Sequence, residues 1–576
     1  MKIKLTWTVA VFVFSIFTSA GHSQESKKQE SVLLTTMEQE LNRSFEKLKE
    51  KGTDPLYFMS YYAIESDEIN IAANYGAITY RPMRSRPQRY LTAQVRIGSH
   101  KLDNTHQIRG AGGGGGAFSG GGSTALPIED DPDAIRTSIW LVTDRAFKEA
   151  QEQFTHVKTN REVMVEEEDT SDDFSQEKPS VYITELDKVT LDKELWVDKI
   201  RKLSTLFKKY PYILHSGVSL SGGVQNRFLV SSEGTKIQSS SKQYRLFVTA
   251  QAKADDGMGL ELYDSFEVKD EASLPNDSQI EAAIVKIAEN LKKLSGATIV
   301  EPYAGPAILV NRSAAVFFHE IFGHRIEGHR QKNEEEGQTF TKKIGKKIMP
   351  DFMSIADDPT VTKFGDSPLF GFFQYDDEGV PAQNVQVVEN GVLKNFLMSR
   401  SPVKDFPKSN GHGRGQFGAV GRQGNLIVTS TNRVPMPELR KMLIEEAKSQ
   451  GKNFGLIFND ISGGFTLTQR GMPQSFSVLP LIVTRVYVDE SKPDEIVRGV
   501  NIVGTPIASL EQIIATGNDE AQFNGYCGAE SGWIPVSAVS PSVLVKNIEI
   551  ERRQKEQDRP PILPPPLYDT KNEEKK

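Results

Sequence analysis

Apolar residues at Leu33, Leu34, Met37, Leu41, Phe45 and Leu48 recur at helical spacing and predict an amphipathic helix over residues 30–52. Strand-like segments follow in "LYFMSYYAI" and "YLTAQVRIG". Helical patterns return in "DDPDAIRTSIWLVTDRAFKEAQEQF", "VDKIRKLSTLFKKY" and "SQIEAAIVKIAENLKKL". Between the last two, "RFLVSSEGTKIQSSSKQYRLFVTAQAKA" alternates as antiparallel strands do. The domain boundary falls near residues 296–303. Beyond it the chain is mostly strand-like. Asn390-Gly391 sits between two apolar runs in "QNVQVVENGVLKNFLMS", a strong hairpin signal. "NLIVTST", "SFSVLPLIVTRVYV" and "SVLVKNIEIE" continue the pattern, and no internal repeat interrupts it. The expected class is α+β. An N-terminal domain, residues 30–297, sets helices against an antiparallel sheet. A mostly antiparallel β domain, residues 300–552, carries one apolar helix.

Composition narrows this picture. The 576 residues suffice for two or three domains, and 38% hydrophobic with 25% charged residues is ordinary for a globular chain. A net charge of -7 leaves no basic footprint, so no nucleic-acid partner is expected. Residues 1–20 combine Lys2 and Lys4, an apolar run and small residues at Thr18, Ser19 and Ala20. They resemble a secretory signal peptide, and the apolar run is short for an uncleaved anchor. The expectation is an exported protein, periplasmic or secreted, with no stable membrane anchor after cleavage. The glycine-rich residues 109–124 lack the Gly-Lys-Ser/Thr of a phosphate-binding loop and read as a mobile loop. The acidic run at residues 166–173, "EEEDTSDD", reads as a solvated insertion. Residues 553–576 form a proline-rich, charged tail expected to be extended.

The chemistry concentrates in "FFHEIFGHRIEGH", which holds three of the nine histidines. His319-Glu320 and His324 make H-E-x-x-x-H, one residue longer than the usual zinc-peptidase spacing. On an ideal helix two residues five apart diverge by roughly 140°. For both imidazoles to meet one ion the helix must open, as a π-type bulge would allow, and Gly323 stands where the backbone has to deform. A catalytic zinc needs a third protein ligand. Cys527, His329 and a remote carboxylate are the candidates. Cys527 is the stronger choice, because metal ligation also accounts for a solitary cysteine in an exported chain. Glu320 would be the base that takes a proton from the attacking water.

Several ordered motifs resemble the TldD/PmbA peptidases, the modulator of DNA gyrase group, and within it the TldD-like subunit. They are "GPAILVNRSAAVFFHEIFGHRIEGH", "YDDEGVPAQNVQVVENGVLKNFLMSR", "SNGHGRGQFG", "ISGGFTL", "VRGVNIVGTP" and "GYCGAESGWIPVSAVSPSVLVKNIEI". The resemblance covers most of residues 300–551 and is looser over residues 30–297, where "VSSEGTKI" is the best fragment. It implies zinc held by His319, His324 and Cys527, with Glu320 as base. It also implies a dimer around an enclosed cavity, either a homodimer or a pair with a TldE/PmbA-like subunit, cleaving unfolded or precursor peptides. The chain departs from the well-known cytoplasmic members in its leader, its glycine-rich loop and its acidic insertion.

The expected activity is therefore a zinc metallopeptidase whose peptide substrate adds as a strand to a sheet edge. Gly463 and Gly464 of "SGG" and the strand around Ile534 to Val536 are candidate edges, and ordinary turns and core strands would read the same way. His412 and Arg414 are candidates for oxyanion stabilisation. Two rivals stand beside this reading: a silent peptide-binding subunit and a zinc amidase acting on a small molecule.

Overall fold

Inward apolar and outward polar positions alternate through strands far longer than the usual 3–10 residues. Leu56–Asn74, His215–Ser231 and Lys236–Lys253 run 19, 17 and 18 residues. In the computed structural model they pair antiparallel at the heart of a nine-stranded sheet. The structure describes residues 29–80, 88–108, 121–163, 169–333, 335–415, 418–470, 476–553, 561–563 and 566. The signal-peptide expectation, residues 109–120 of the glycine-rich stretch, residues 166–168 and most of the tail lie outside them. Among the described residues no helix is long and apolar enough to cross a membrane.

Met59, Tyr61 and Ala63, then Ile69, Ile71 and Ala73, share one side of the strand Leu56–Asn74. The first group packs under the helices Val32–Leu48 and Pro132–Val163, the second under Lys193–Ser204 and Asp277–Ser295. The opposite side faces the second half of the chain. There the Tyr62 hydroxyl donates to Asp377, Arg227 to the Tyr375 carbonyl and Arg245 to the Asn524 carbonyl. The sheet is thus a wall with helices behind it and the C-terminal half in front.

That half contains a second nine-stranded sheet, of mixed direction, and a six-stranded sheet. The helix Arg312–Ile321 is buried from Ser313 to Ile321, as an all-round apolar sequence requires. It packs against Phe454–Thr466 and Phe476–Tyr487 of one sheet and Ala521–Ala529 and Gly532–Ser540 of the other. The fold is α+β with largely antiparallel sheets. At the Asn390-Gly391 hairpin both residues have positive φ, 47° and 78°, the two-residue turn that the pair favours.

Three features differ from the sequence reading. The second half includes the helix Met436–Ser449, whose buried Leu439, Leu443 and Ala447 lie four residues apart on one face. Residues 121–124, expected in a mobile loop, belong to the strand Gly121–Ala125, paired with Gln88–Ser99. Gly122 permits this: a Cβ there would stand 2.7 Å from Val142 of the overlying helix. The acidic run is a solvated loop only in part where it is described, with Thr170 and Asp172 exposed. Asp173 is buried, bonded to His106 at 2.7 Å and accepting the Asp103 N–H at 3.0 Å. Next to it, the Phe174 ring lies between Arg96 of the first half and Arg400 of the second, with guanidinium carbons 3.8 and 3.9 Å from its centroid. The Ser175 N–H then donates to the Arg400 carbonyl, and the Arg400 side chain donates back to the Ser175 carbonyl. Residues 169–175 form a strap that joins the two halves.

If Phe174 closes the strap, Phe174→Ala should lower unfolding free energy by about 3–5 kcal/mol. The exposed neighbour Asp172 should tolerate alanine. Denaturant unfolding of both variants checks this, and equal effects would contradict the strap.

Candidate metal centre

The helix carrying His319 and Glu320 ends at Ile321. Phe322 leaves helical geometry at φ -118°, ψ -54°, and Gly323–Arg325 winds into a tighter 3-10 turn. The expected π-type bulge is absent: the helix stops and tightens. Gly323 makes this possible, because a Cβ would fall 1.9 Å from the Gln423 side-chain oxygen. The break swings His324 round, so that the His319 and His324 ring centroids lie 5.1 Å apart at 75°.

Cys527 arrives from the strand Ala521–Ala529, where it opposes Ile534 of Gly532–Ser540. Its Sγ lies 3.3 Å from His324 Nε2, and one donor atom from each of His319, His324 and Cys527 falls within 4.8 Å of the others. All three side chains are buried. His319 Nδ1 has no hydrogen-bond partner among the described residues. Two imidazole nitrogens and one thiol sulfur, converging and buried, form the donor set that zinc takes in catalytic sites. Burial works against the Cys527 thiolate, yet His324 and His319 hold its pKa well below the ordinary thiol value. His329 does not join them; its Nε2 is bonded to Glu530 at 2.7 Å.

Glu320 is buried beside this cluster, and desolvation pushes its carboxyl pKa up against the opposing pull of His319 and His324. It lies against Gly464, whose absent Cβ would stand 2.6 Å from Glu320 Cγ and 3.0 Å from the Ser477 carbonyl oxygen. Gly463, its neighbour, has open space at the same position. The strand Phe454–Thr466 pairs with Tyr303–Leu309 only over Leu456 to Phe458, so among the described residues its far end has no strand on that side. Tyr263 and Arg312 reach the Ser462 and Ile461 carbonyls there. Around Gly532–Ser540, Asn425–Ser430 pairs only with Ser537 to Val539, so among the described residues Ile534 to Val536 have no strand on that edge.

Two family models match: the PmbA/TldA metallopeptidase C-terminal domain over residues 303–552 and the central domain over residues 178–292. The chain belongs to the PmbA/TldD family. A metalloprotease of Archaeoglobus fulgidus is 30% identical over 266 residues, covering 45% of this chain and 56% of that protein. A zinc metalloprotease TldD homolog of Saccharolobus solfataricus is 26% identical over 279 residues, covering 46% and 57%. The chain thus spans little more than half the length of these curated relatives. Two solved structures share the fold: a protein described as a modulator of a DNA gyrase from Thermotoga maritima (18% identity, TM-score 0.59, 89% of this chain and 99% of that one) and TldE from Thermococcus kodakarensis (13%, 0.57, 89% and 100%).

In this PmbA/TldD chain the two oxyanion candidates make no hydrogen bond to the donor cluster among the described residues. His412 is wholly buried, with Nε2 3.2 Å from Asp357 Oδ1 and Nδ1 beside Asn410. Arg414 donates to the Gln423 carbonyl at 2.6 Å and lies over the Phe373 ring. Sequence reading missed Glu327, Arg422 and Arg325. Glu327 stands 3.4 Å from His324 Nδ1, and Arg422 donates to Cys527 Sγ at 3.1 Å. Arg325 donates to the Glu320 carbonyl at 3.1 Å. The i+3 spacing from His324 to Glu327 was a legible signal; nothing local marks Arg422.

The acidic turn nearby carries a pair of carboxyls. Asp376 accepts the Gly413 N–H at 2.9 Å and Glu378 the Arg400 N–H at 2.6 Å. Burial, and then Glu378 itself, raises Asp376 well above the ordinary carboxylate range; burial pushes Glu378 up to about 7. Protons held in the folded state but released on unfolding stabilise the fold at low pH, and that contribution fades as pH rises through the folded value.

Two outcomes follow from this geometry. Gly464→Ala should push the Glu320 side chain aside, because the added Cβ would stand 2.6 Å from its Cγ; a structure of the variant with the carboxyl unmoved would contradict that contact. From about pH 5 to about 7 the wild type should lose thermal stability relative to Glu378→Gln; parallel melting curves would contradict the raised pKa.

Proposed function

We propose that this chain is a zinc metallopeptidase acting on unfolded or precursor peptides. The observation that carries the reading is the convergence of His319, His324 and Cys527 beside the buried Glu320. Zinc held by these three side chains would polarise the scissile carbonyl and bring the pKa of water toward neutrality. Glu320 takes the proton from the attacking water and returns it to the leaving amine. Its desolvated carboxyl, with raised proton affinity, suits both transfers. Gly464 leaves the room Glu320 occupies, and Arg325 fixes the carbonyl at its back.

An extended peptide would be gripped by backbone bonds at the unpaired ends of Phe454–Thr466 or Gly532–Ser540, which suits many side chains. The relatives named metalloprotease and zinc metalloprotease TldD homolog support the activity and the metal. The neighbour named TldE supports a second subunit, so the working form is a homodimer or a pair with a TldE-like chain. The leader-like residues 1–20 support export.

The purified chain should hold about one zinc, with markedly less in Cys527→Ala. Glu320→Gln should keep the zinc and lose peptide cleavage by at least about 100-fold. Metal analysis and a digest of denatured protein measure both. Full cleavage by Glu320→Gln, or zinc-loaded wild type that leaves every peptide intact, would sink the reading.

A further inference from the structure

His324 is the weakly supported arm of the centre. His319 rides on a helix buried on all sides, whereas His324 follows the helix break, on the three-residue turn Gly323–Arg325. Its two nitrogens are divided. Nε2 faces Cys527 Sγ at 3.3 Å and Nδ1 faces Glu327 Oε1 at 3.4 Å. His319 has no such outer partner, since its Nδ1 is buried and unbonded among the described residues. Whatever steadies His324 therefore acts through Glu327.

Glu327 is completely buried, and so is the guanidinium it meets. Arg422 Nε stands 3.2 Å from Glu327 Oε1, while the other carboxylate oxygen accepts Arg330 Nε at 2.8 Å. The far end of the same guanidinium reaches the other arm. One terminal nitrogen donates to Cys527 Sγ at 3.1 Å and to the Cys527 carbonyl at 3.0 Å; the second donates to Ser531 Oγ at 2.6 Å. One planar, rigid group thus donates to the thiol directly and stands at ion-pair distance from the carboxylate oxygen that faces the imidazole. Its flat fork allows this in a way a lysine ammonium cannot.

Burying a guanidinium and a carboxylate costs several kcal/mol per ion, and an apolar pair would fill the space with less penalty. Their placement across the gap between Cys527 and His324 indicates a use beyond packing. Outer partners of ligating histidines commonly set ring orientation, and their loss lowers metal affinity by about 10- to 100-fold. We propose that Arg422, acting with Glu327, is a positioning residue of the metal centre that locks the Cys527 and His324 arms into one frame. This rests on the zinc reading above.

The test is zinc affinity of the full chain, measured by competition with a chromophoric chelator, with circular dichroism to verify folding. Arg422→Gln and Glu327→Gln should each weaken zinc by about 10- to 100-fold. Because both act through one frame, the double variant should fall well short of the product of the two losses. Arg422→Lys should recover only part of the affinity, since it restores charge without the fork. Ser531→Ala removes a contact of the same guanidinium that touches neither sulfur nor Glu327, and should leave affinity unchanged. A folded Arg422→Gln that binds zinc as tightly as wild type overturns the proposal. Should that variant not fold, unchanged affinity in the near-isosteric Glu327→Gln overturns it equally. Wild type that holds no zinc overturns the metallopeptidase reading, and this with it; wild type that holds zinc no better than the two glutamine variants overturns this proposal alone.

Discussion

The centre depends on a helix that stops in the right place. Had Arg312–Ile321 continued through His324, the two imidazoles would point roughly 140° apart, and no third ligand could reconcile them. Ending at Ile321 and tightening into Gly323–Arg325 replaces that divergence with rings 5.1 Å apart. The break leaves the backbone carbonyls of the last helical turn without partners and sets a ligand on a short turn. Much of the surrounding structure answers those two debts. Gly323 lets the Gln423 amide close over the turn. Leu397 accepts the Gly328 N–H just beyond it and donates to the Ile326 carbonyl.

Placing such a turn deep inside the molecule requires walls from distant parts of the chain. Cys527 lies 203 residues beyond His324 and reaches it because Ala521–Ala529 lies across the helix from Phe454–Thr466. The N-terminal half contributes a lid of sheet rather than ligands. Tyr263, from its outermost antiparallel strand, meets the Ser462 carbonyl near Gly464, and the strap at residues 169–175 fastens that half to Arg400. Asp173 also stands 3.4 Å from Lys332, on the short helix that follows the ligand turn. The two halves are thus joined at the segment that leads out of the turn carrying His324.

What was legible in the chain depended on how local the cause is. Val32–Leu48 and the Asn390-Gly391 hairpin follow from side-chain spacing and from two residues that accept positive φ, and both are readable over a few positions. Cys527 stood out because a lone thiol asks for a partner, and the family resemblance named it. The strap was hidden: "EEEDTSDD" is polar by composition, and Asp173 and Phe174 become core only when Arg96 and Arg400, over two hundred residues apart from each other along the chain's two halves, close around them. Arg422 and Glu327 were hidden for the same reason. Charged residues read as surface unless their partners are known, and here Glu327, Arg422 and Cys527 meet from three separate segments.

Arg325 shows how these demands are met together. It follows His324 immediately, so its position is fixed by the break. One nitrogen donates to the carbonyl of Glu320, an acceptor left over where the helix ends, and another to the Leu467 carbonyl at 3.0 Å, just past Phe454–Thr466. The helix end and the strand end are therefore bound by one guanidinium. In the proposed chemistry Glu320 moves the proton, and that strand end is one of the two edges offered to the peptide. A shift of the strand would be carried through Arg325 to the backbone of Glu320, and Gly464, pressed against the Glu320 side chain, would carry the same shift to its carboxyl. Backbone and side chain of Glu320 are referenced to a single strand, so the proposed proton acceptor and the proposed peptide edge keep one alignment.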